Sequence, residues 1–204
     1  MKGYYFITDS DLSRNGNRSD VAEAVKAGVS VVQYRNKLGS SRALYEEALA
    51  LRLLCRETLF IVNDRTDIAI AVNADGIHLG QEDLPFSAAR KLLGPDIIIG
   101  LTVHSLEEAL EAQQLGADYL GVSPIYSTTT KPDAGPPSGL KLIRDIKKMV
   151  RLPLVAIGGI QLSNAAEVIA AGADSLCAIS AVITKEDVCS EILRFQNLFT
   201  RKLN

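Results

Sequence analysis

Two aspartates, Asp64 and Asp83, each follow a short apolar run, at residues 59–62 and 76–79, with a brief helical pattern at 67–72 between the runs. Runs of that length read as strands. If the two strands are parallel neighbours, both carboxylates stand side by side at the carboxyl edge of one sheet. A carboxylate pair with few bases close by in sequence suits a hard cation such as Mg²⁺, with water and a phosphate-bearing ligand completing its shell. The same residues also suit plainer roles, Asp64 as a turn residue or helix cap and Asp83 as the cap of the next helix.

Other apolar runs end in groups that bind oxyanions. Thr8 and Asp9 follow the first run, and Gln33, Tyr34, Arg35, Asn36 and Lys37 end the second. Asn63 precedes Asp64, Gln81 precedes Asp83, Thr102 and His104 close a later run, and Thr128, Thr129, Thr130 and Lys131 open a long loop. Arginine suits bidentate oxyanion contacts and lysine point-charge ones. Gly158-Gly159 and Ser180-Ala181 follow the last two runs, where backbone N–H groups hold a phosphate in barrel enzymes. Each has a plainer reading: solvated loop charges, a flexible polar tip, turn glycines. His78 reads as buried or structural, since no second His or Cys pairs with it. There is no Ser–His–Asp arrangement and no lysine inside a strand. Two oxyanion sites and a carboxylate-bound metal suit departure of a pyrophosphate better than proton abstraction or hydride transfer.

The elements that must position these groups alternate along the chain. Strands are expected at 4–8, 29–35, 59–62, 76–79, 97–102, 119–123, 154–157 and 175–179. Helices are expected from Ser19 or Asp20 to 27, from Ser40 or Ser41 to 57, and at 67–72, 85–93, 105–115, 140–150, 163–171 and 185–202. Ser105 with Glu108 spells a capping box. Gly28, Gly116 and Gly172 fall where helices end, and Asp75, Asp118 and Asp174 fall just before strands. Eight strand–helix units with continuous apolar strands predict a single-domain (β/α)₈ barrel over residues 1–204. A doubly wound sheet is the rival, but no Gly-x-Gly-x-x-Gly follows the first strand.

Composition sets limits on class. The 204 residues are 47% hydrophobic and 23% charged, an ordinary globular balance. A formal charge of −2 argues against a nucleic-acid scaffold. No apolar run approaches a membrane span, and the N-terminus lacks a signal-peptide pattern. Cys55, Cys177 and Cys189 are not spaced as metal ligands, so the expectation is a reduced, cytoplasmic protein. With no Trp and five Phe, the core is expected to be aliphatic.

The phrases YYFITD, VVQYRNK, FIVNDR, ADGIHLGQEDLP, IIGLTVHSLEEA, GADYLGVSPIYSTTTKPDA, LVAIGGI and GADSLCAISA together resemble the thiamine phosphate synthase (thiamine-phosphate pyrophosphorylase) family over essentially the whole chain. The resemblance implies that 4-amino-2-methyl-5-hydroxymethylpyrimidine diphosphate is joined to hydroxyethylthiazole phosphate with release of pyrophosphate. It implies Gln33, Arg35, Lys37 and Asn63, with Tyr34 and Asn36 between them, as ligands of the pyrimidine diphosphate. Asp64 and Asp83 would be the Mg²⁺ ligands. Thr102 matches a position that is usually Ser. Thr128, Thr129 and Thr130 match the thiazole-phosphate loop, and Lys131 a lysine that meets the pyrophosphate. Gly159, Ile179 and Ser180 match the cradle of the thiazole phosphate. Arg35, Lys37 and Lys131 would stabilise the departing charge in a dissociative substitution, with no protein nucleophile. Asn36 stands where the family usually has Glu, and Tyr34 where it usually has an aliphatic residue or Phe. The loop at 128–137 reads as a lid.

A sister branch, the thiazole tautomerases, shares the barrel and the phrase Val-His-Ser-Leu-Glu-Glu-Ala. It lacks both aspartates and has a catalytic His where this chain has Pro124. A non-catalytic precursor-binding barrel and a phosphosugar epimerase are further readings. The first has no support in the charged positions, and the second lacks an opposed acid/base pair. Partners are then small molecules, with neither nucleic acid nor membrane, and the sequence leaves a homo-oligomer open.

Overall fold

A computed structural model describes residues 1–131 and 135–200. Eight parallel strands close into a barrel in sequence order: β1 (Gly3–Ile7), β2 (Val31–Tyr34), β3 (Leu59–Asn63), β4 (Gly76–Leu79), β5 (Ile98–Val103), β6 (Tyr119–Val122), β7 (Leu154–Ile157) and β8 (Ser175–Cys177). Around them run α1 (Asn17–Lys26), α2 (Ser41–Leu54), α3 (Thr66–Ala71), α4 (Phe86–Leu93), α5 (Leu106–Leu115), α6 (Gly139–Met149), α7 (Leu162–Ala170), α8 (Ile179–Ile183) and α9 (Val188–Thr200). The expected (β/α)₈ architecture is the observed one. Among the described residues no helix is long and apolar enough to cross a membrane.

Alternation along each strand divides the core in two. On β1, Tyr4 and Phe6 point outward into the layer between barrel and helices, while Tyr5 and Ile7 point into the barrel. The outer layer is mostly aliphatic, as composition predicts, with Tyr4 packed on Phe195 of α9 at 5.4 Å between ring centres. The interior departs from that expectation. Tyr5 and Tyr119 fill its middle beside Val31, Ile61 and Val155. Room for the Tyr119 and His78 rings comes from glycines on other strands. A Cβ on Gly100 would lie 2.1 Å from the Tyr119 ring, and one on Gly121 would lie 3.0 Å from the His78 ring.

The repeated turn before strands is a structural device at the amino end of the barrel. The carboxylate of Asp75 accepts from the N–H of Phe60 at 2.8 Å and from Arg52 at 3.0 Å. Asp118 accepts from the N–H of Ile99 and from Arg90, and Asp174 from the N–H of Leu154 and from Lys147. Each aspartate thus satisfies a backbone donor at or next to the start of the preceding strand and fixes a basic side chain from a helix. Gly116 takes the left-handed conformation that ends α5, and Asn73, at φ 51°, fills the same role after α3.

Several element boundaries differ from expectation for local reasons. α1 begins at Asn17, after Gly16, and neither Ser19 nor Asp20 caps it. Ser13 instead accepts from the N–H of Gly16 and donates to Asp20. Ser105 does cap α5, accepting from the N–H of Glu108. The reciprocal half of the expected box is displaced, because the Glu108 carboxylate takes the N–H of His104. β8 stops at Cys177, and Ile179 opens α8 rather than ending a strand. α9 starts at Val188, where Asp187 accepts from the N–H of Ser190, and residues 201–202 of the expected helix lie outside the described residues.

Replacing Asp75 by Ala strands the Phe60 N–H and the Arg52 guanidinium. Tm is expected to fall by ~2–10 °C, reflecting ~1–3 kcal/mol. Asp96→Ala, at an exposed residue that accepts no hydrogen bond among the described residues, is expected to leave Tm in place. Calorimetry on both variants checks this.

Candidate active site

At the carboxyl rim, β3 and β4 are neighbours, with Asn63 opposite His78. Asp64 leaves β3 in the left-handed region at φ 60°, its N–H donating to the His78 carbonyl at 2.9 Å. Aspartate tolerates this conformation better than most residues, and the turn directs its carboxylate across the rim. Asp83 is turned toward it by the N–H of Gly80, which donates to its Oδ2 at 2.7 Å. Burial pushes the Asp83 carboxyl above the usual range, and the neighbouring Asp64 carboxylate pushes it further. The Lys37 ammonium sits on the Asp64 carboxylate.

The pair therefore fits a cation. Two like charges share one place, one of them is destabilised as an anion, and an ammonium already answers the other. Among the described residues no group of three or more His, Cys, Asp or Glu side chains is assembled for a metal. Two carboxylates alone suit Mg²⁺, which keeps water and substrate oxygens in its shell.

Arg35 is held by two strands. Its guanidinium donates to Asp9 at 2.8 Å, and its backbone exchanges hydrogen bonds with the Thr8 hydroxyl. Asp9, marked in the sequence only by its place directly after the first run, is largely buried and orients the arginine.

Across the rim, Gly158 and Gly159 have φ of 98° and 63°. Their expected role, close backbone approach, is met first by the chain itself. A Cβ on Gly158 would lie 2.7 Å from Pro124, and one on Gly159 would lie 2.6 Å from the Ser127 carbonyl oxygen. The N–H groups of Gly158, Gly159 and Ile160 donate to nothing among the described residues. The loop between β6 and α6 is tied at its neck, where the N–H groups of Ser138 and Gly139 donate to the carbonyls of Pro124 and Ile125. The expected lid at 128–137 includes residues 132–134, which lie outside the described residues.

One cavity collects most of the expected site residues. Gln33, Arg35, Lys37, Asn63, Asp64 and Asp83 line it on one side. Thr102, Thr128, Thr130, Lys131, Gly159, Ile179 and Ser180 line it on the other, and Ile7, Ile157 and Cys177 supply apolar surface. Three expected ligands are not in its lining: Tyr34, Asn36 and Thr129. Alternation along β2 sends Gln33 inward and Tyr34 outward into the helix-facing core. There Tyr34 donates to Glu47 of α2 at 2.6 Å, and Asn36 donates to the same carboxylate oxygen at 2.9 Å. Asn17 donates to the other oxygen at 2.9 Å. The two departures from the family pattern thus meet one partner. The carboxylate missing at position 36 is provided from α2, where nothing in the local sequence marks it.

His78 is buried, as expected, yet its ring reaches the cavity. Nδ1 lies 2.9 Å from the Tyr119 hydroxyl and Nε2 lies 2.8 Å from Thr102 Oγ1. The Tyr119 hydroxyl is 2.8 Å from that of Tyr5, which accepts from Gln33 Nε2 at 2.9 Å. Burial lowers the imidazole to about 4. It also pushes the Cys177 thiol far up, so at neutral pH the imidazole is a weak base and the sulfur stays un-ionised.

A closed parallel barrel whose carboxyl rim joins a carboxylate pair, cations from separate loops and unpaired backbone N–H groups defines a phosphate-handling (β/α)₈ enzyme. A family model described as thiamine monophosphate synthase matches residues 4–182. The chain belongs to that family, the transferases that form thiamine phosphate in thiamine biosynthesis. A thiamine-phosphate synthase of Methanosarcina barkeri is 50% identical over 199 residues, covering 97% of this chain and 90% of that protein. Its counterpart in Chloroflexus aurantiacus is 51% identical over 187 residues, covering 90% and 86%. The solved thiamine phosphate pyrophosphorylase of Pyrococcus furiosus superposes with a TM-score of 0.90 at 42% identity, covering 97% of this chain and 95% of that one.

Removing the Glu47 side chain leaves Tyr34, Asn36 and Asn17 without their shared acceptor. Glu47→Ala is expected to cost ~1–3 kcal/mol of stability and to raise KM several-fold with a smaller change in kcat. Denaturant melts and steady-state kinetics test this, and an unchanged KM would separate Glu47 from the loop that carries Arg35 and Lys37. For His78, the folded value lies below the ordinary 6.5, so its neutral form stabilises the fold above that pH and this contribution is lost as pH falls through about 4. The imidazole resonances of His78 are expected to stay fixed from pH 8 to ~5, as NMR would read.

Proposed function

We propose that the cavity joins 4-amino-2-methyl-5-hydroxymethylpyrimidine diphosphate to hydroxyethylthiazole phosphate, releasing pyrophosphate by dissociative substitution. The observation that carries this reading is the convergence of Arg35, Lys37 and Lys131 on the carboxylate pair Asp64 and Asp83, opposite the free N–H groups after β7. The diphosphate lies on the cationic side, where the Arg35 guanidinium, fixed by Asp9, and the two ammonium groups donate to its oxygens. Asp64 and Asp83 would hold Mg²⁺, which when bound supplies charge neutralisation to the diphosphate. The thiazole phosphate lies against Gly159, Ser180 and the hydroxyls of Thr128 and Thr130. Ile7, Ile157 and Ile179 exclude water from the two rings between these anions.

In this reading the protein supplies neither nucleophile nor base. The aminopyrimidine ring releases electrons toward its methylene as the C–O bond to pyrophosphate breaks. The thiazole nitrogen then forms the new C–N bond. The residues hold the two rings in line and stabilise charge on the leaving oxygens. Both His78 nitrogens are taken up by Tyr119 and Thr102, and the Cys177 thiol is un-ionised, which supports this assignment, since a reactive carbocation survives only where no protein nucleophile meets it. Three free, buried cysteines support a reducing, cytoplasmic setting.

The test mixes the protein with both substrates and Mg²⁺ and reads thiamine phosphate as thiochrome fluorescence. Asp64→Asn keeps a residue that accepts the left-handed turn but removes the charge. It is expected to retain Tm while losing most metal-dependent product. Lys131→Ala and Arg35→Ala are expected to lower kcat/KM by ~10²–10³. Full activity in Asp64→Asn, or product formed without added or bound metal, would remove the carboxylate pair from the mechanism.

A further inference from the structure

The hydrogen bonds inside the barrel form one unbranched path: Gln33, Tyr5, Tyr119, His78, Thr102. It crosses from β2 to β5 through the filled interior, and both end residues line the cavity. Each middle member has one mobile proton, so the direction of one bond sets the next. Gln33 Nε2 donates to the Tyr5 oxygen, which leaves the Tyr5 proton to go to Tyr119. Tyr119 then donates to His78 Nδ1. A neutral imidazole accepting at Nδ1 carries its proton on Nε2, which donates to Thr102 Oγ1. Among the described residues the Thr102 hydroxyl proton has no acceptor and the side-chain Oε1 of Gln33 has no donor.

We propose that Tyr5, Tyr119 and His78 are positioning residues that fix the polarity of this path, so that Gln33 faces the cavity as an acceptor and Thr102 as a donor, and neither switches alone. A reversal at one link sets two protons against each other or leaves a buried hydroxyl without a partner, a cost that low-dielectric surroundings enlarge. The only other fully bonded arrangement turns the Gln33 amide over and reverses all four links together. The path requires a neutral imidazole, one nitrogen accepting and the other donating, and the buried ring is bonded at both nitrogens. The path is also sterically fixed. Gly100 admits the Tyr119 ring and Gly121 admits the His78 ring, so neither ring can move off line without leaving its notch. The matching ligand chemistry is an amine donor against Gln33 and an acceptor, a ring nitrogen or an anionic oxygen, against Thr102. This ligand assignment rests on the reading of the cavity as the pyrimidine diphosphate site; the polarity itself does not.

The first arm of the test needs no substrate. The chain has two histidines, His78 and His104, so a long-range ¹H–¹⁵N correlation of the imidazoles, with His104→Gln for assignment, isolates His78. The expected result is the tautomer protonated at Nε2 and unprotonated at Nδ1. Tyr119→Phe, which keeps the ring over Gly100, is expected to mix the two tautomers. The second arm is kinetic. Tyr119→Phe is expected to raise KM for the pyrimidine diphosphate ~5- to 10-fold with a smaller change in kcat. Adding Tyr5→Phe is expected to raise it little further, since the path is already cut. An Nδ1-protonated His78 in the unaltered protein, or effects of Tyr5→Phe and Tyr119→Phe that multiply, would overturn the proposal. If no thiamine phosphate forms at all, the substrate reading fails, while the His78 tautomer of the unaltered protein still decides the polarity whether or not a variant folds.

Discussion

Two carboxylates held together repel, and much of the rim is arranged around keeping Asp64 and Asp83 in one place. The cost is met locally. A left-handed residue turns Asp64 off β3, the Gly80 N–H anchors Asp83, and the Lys37 ammonium answers the charge of Asp64. Without a positive partner the pair would favour protonation, and Asp83 already leans that way. The surrounding cations come from different strand ends and meet only because the barrel is closed. Arg35 and Lys37 follow β2, while Lys131 follows β6 on the other side of the rim. An open sheet with the same strands would spread these groups along an edge.

The two ends of the barrel divide the work. At the amino end, Asp75, Asp118 and Asp174 are each satisfied by a backbone donor and a basic side chain. At the carboxyl end the balance is left open: among the described residues, N–H groups after β7 lack acceptors, and hydroxyls of the loop after β6 face the cavity. The same residue type therefore has opposite meanings at the two ends. Aspartate before a strand closes the backbone, whereas Asp64 and Asp83, after strands, line the cavity.

Most of the architecture was legible because each strand is an apolar run closed by a turn, and because glycine or asparagine ends several of the helices. Site residues at strand ends were legible for the same reason: topology puts them on one rim. What the sequence hid was direction. Tyr34 and Asn36 sit between two cavity residues, yet alternation and a partner on α2 carry them out of the cavity. Glu47 lies mid-helix with no motif around it, and only the packing of α2 against β2 shows that it gathers three donors. The interior path of tyrosines and histidine was equally hidden, since its members are far apart in sequence and join only through the barrel's centre. Boundary differences arose where side chains bond the backbone just before a helix, as Ser13 does at the Gly16 N–H, or within the expected helix, as Asp187 does at the Ser190 N–H.

The glycines within strands β5 and β6 carry a consequence for how such a barrel changes over time. Gly100 has no side chain because Tyr119 occupies its volume, and Gly121 stands in the same relation to His78. Space in the interior is therefore held jointly by residues of different strands. A methyl at position 100 becomes tolerable only after the ring at 119 has shrunk, and a larger ring at 119 is admissible only while 100 stays bare. Paths between related barrels with different interiors must then pass through paired exchanges in a fixed order. A survey of single substitutions would report each of these sites as immovable, when the constraint belongs to the pair.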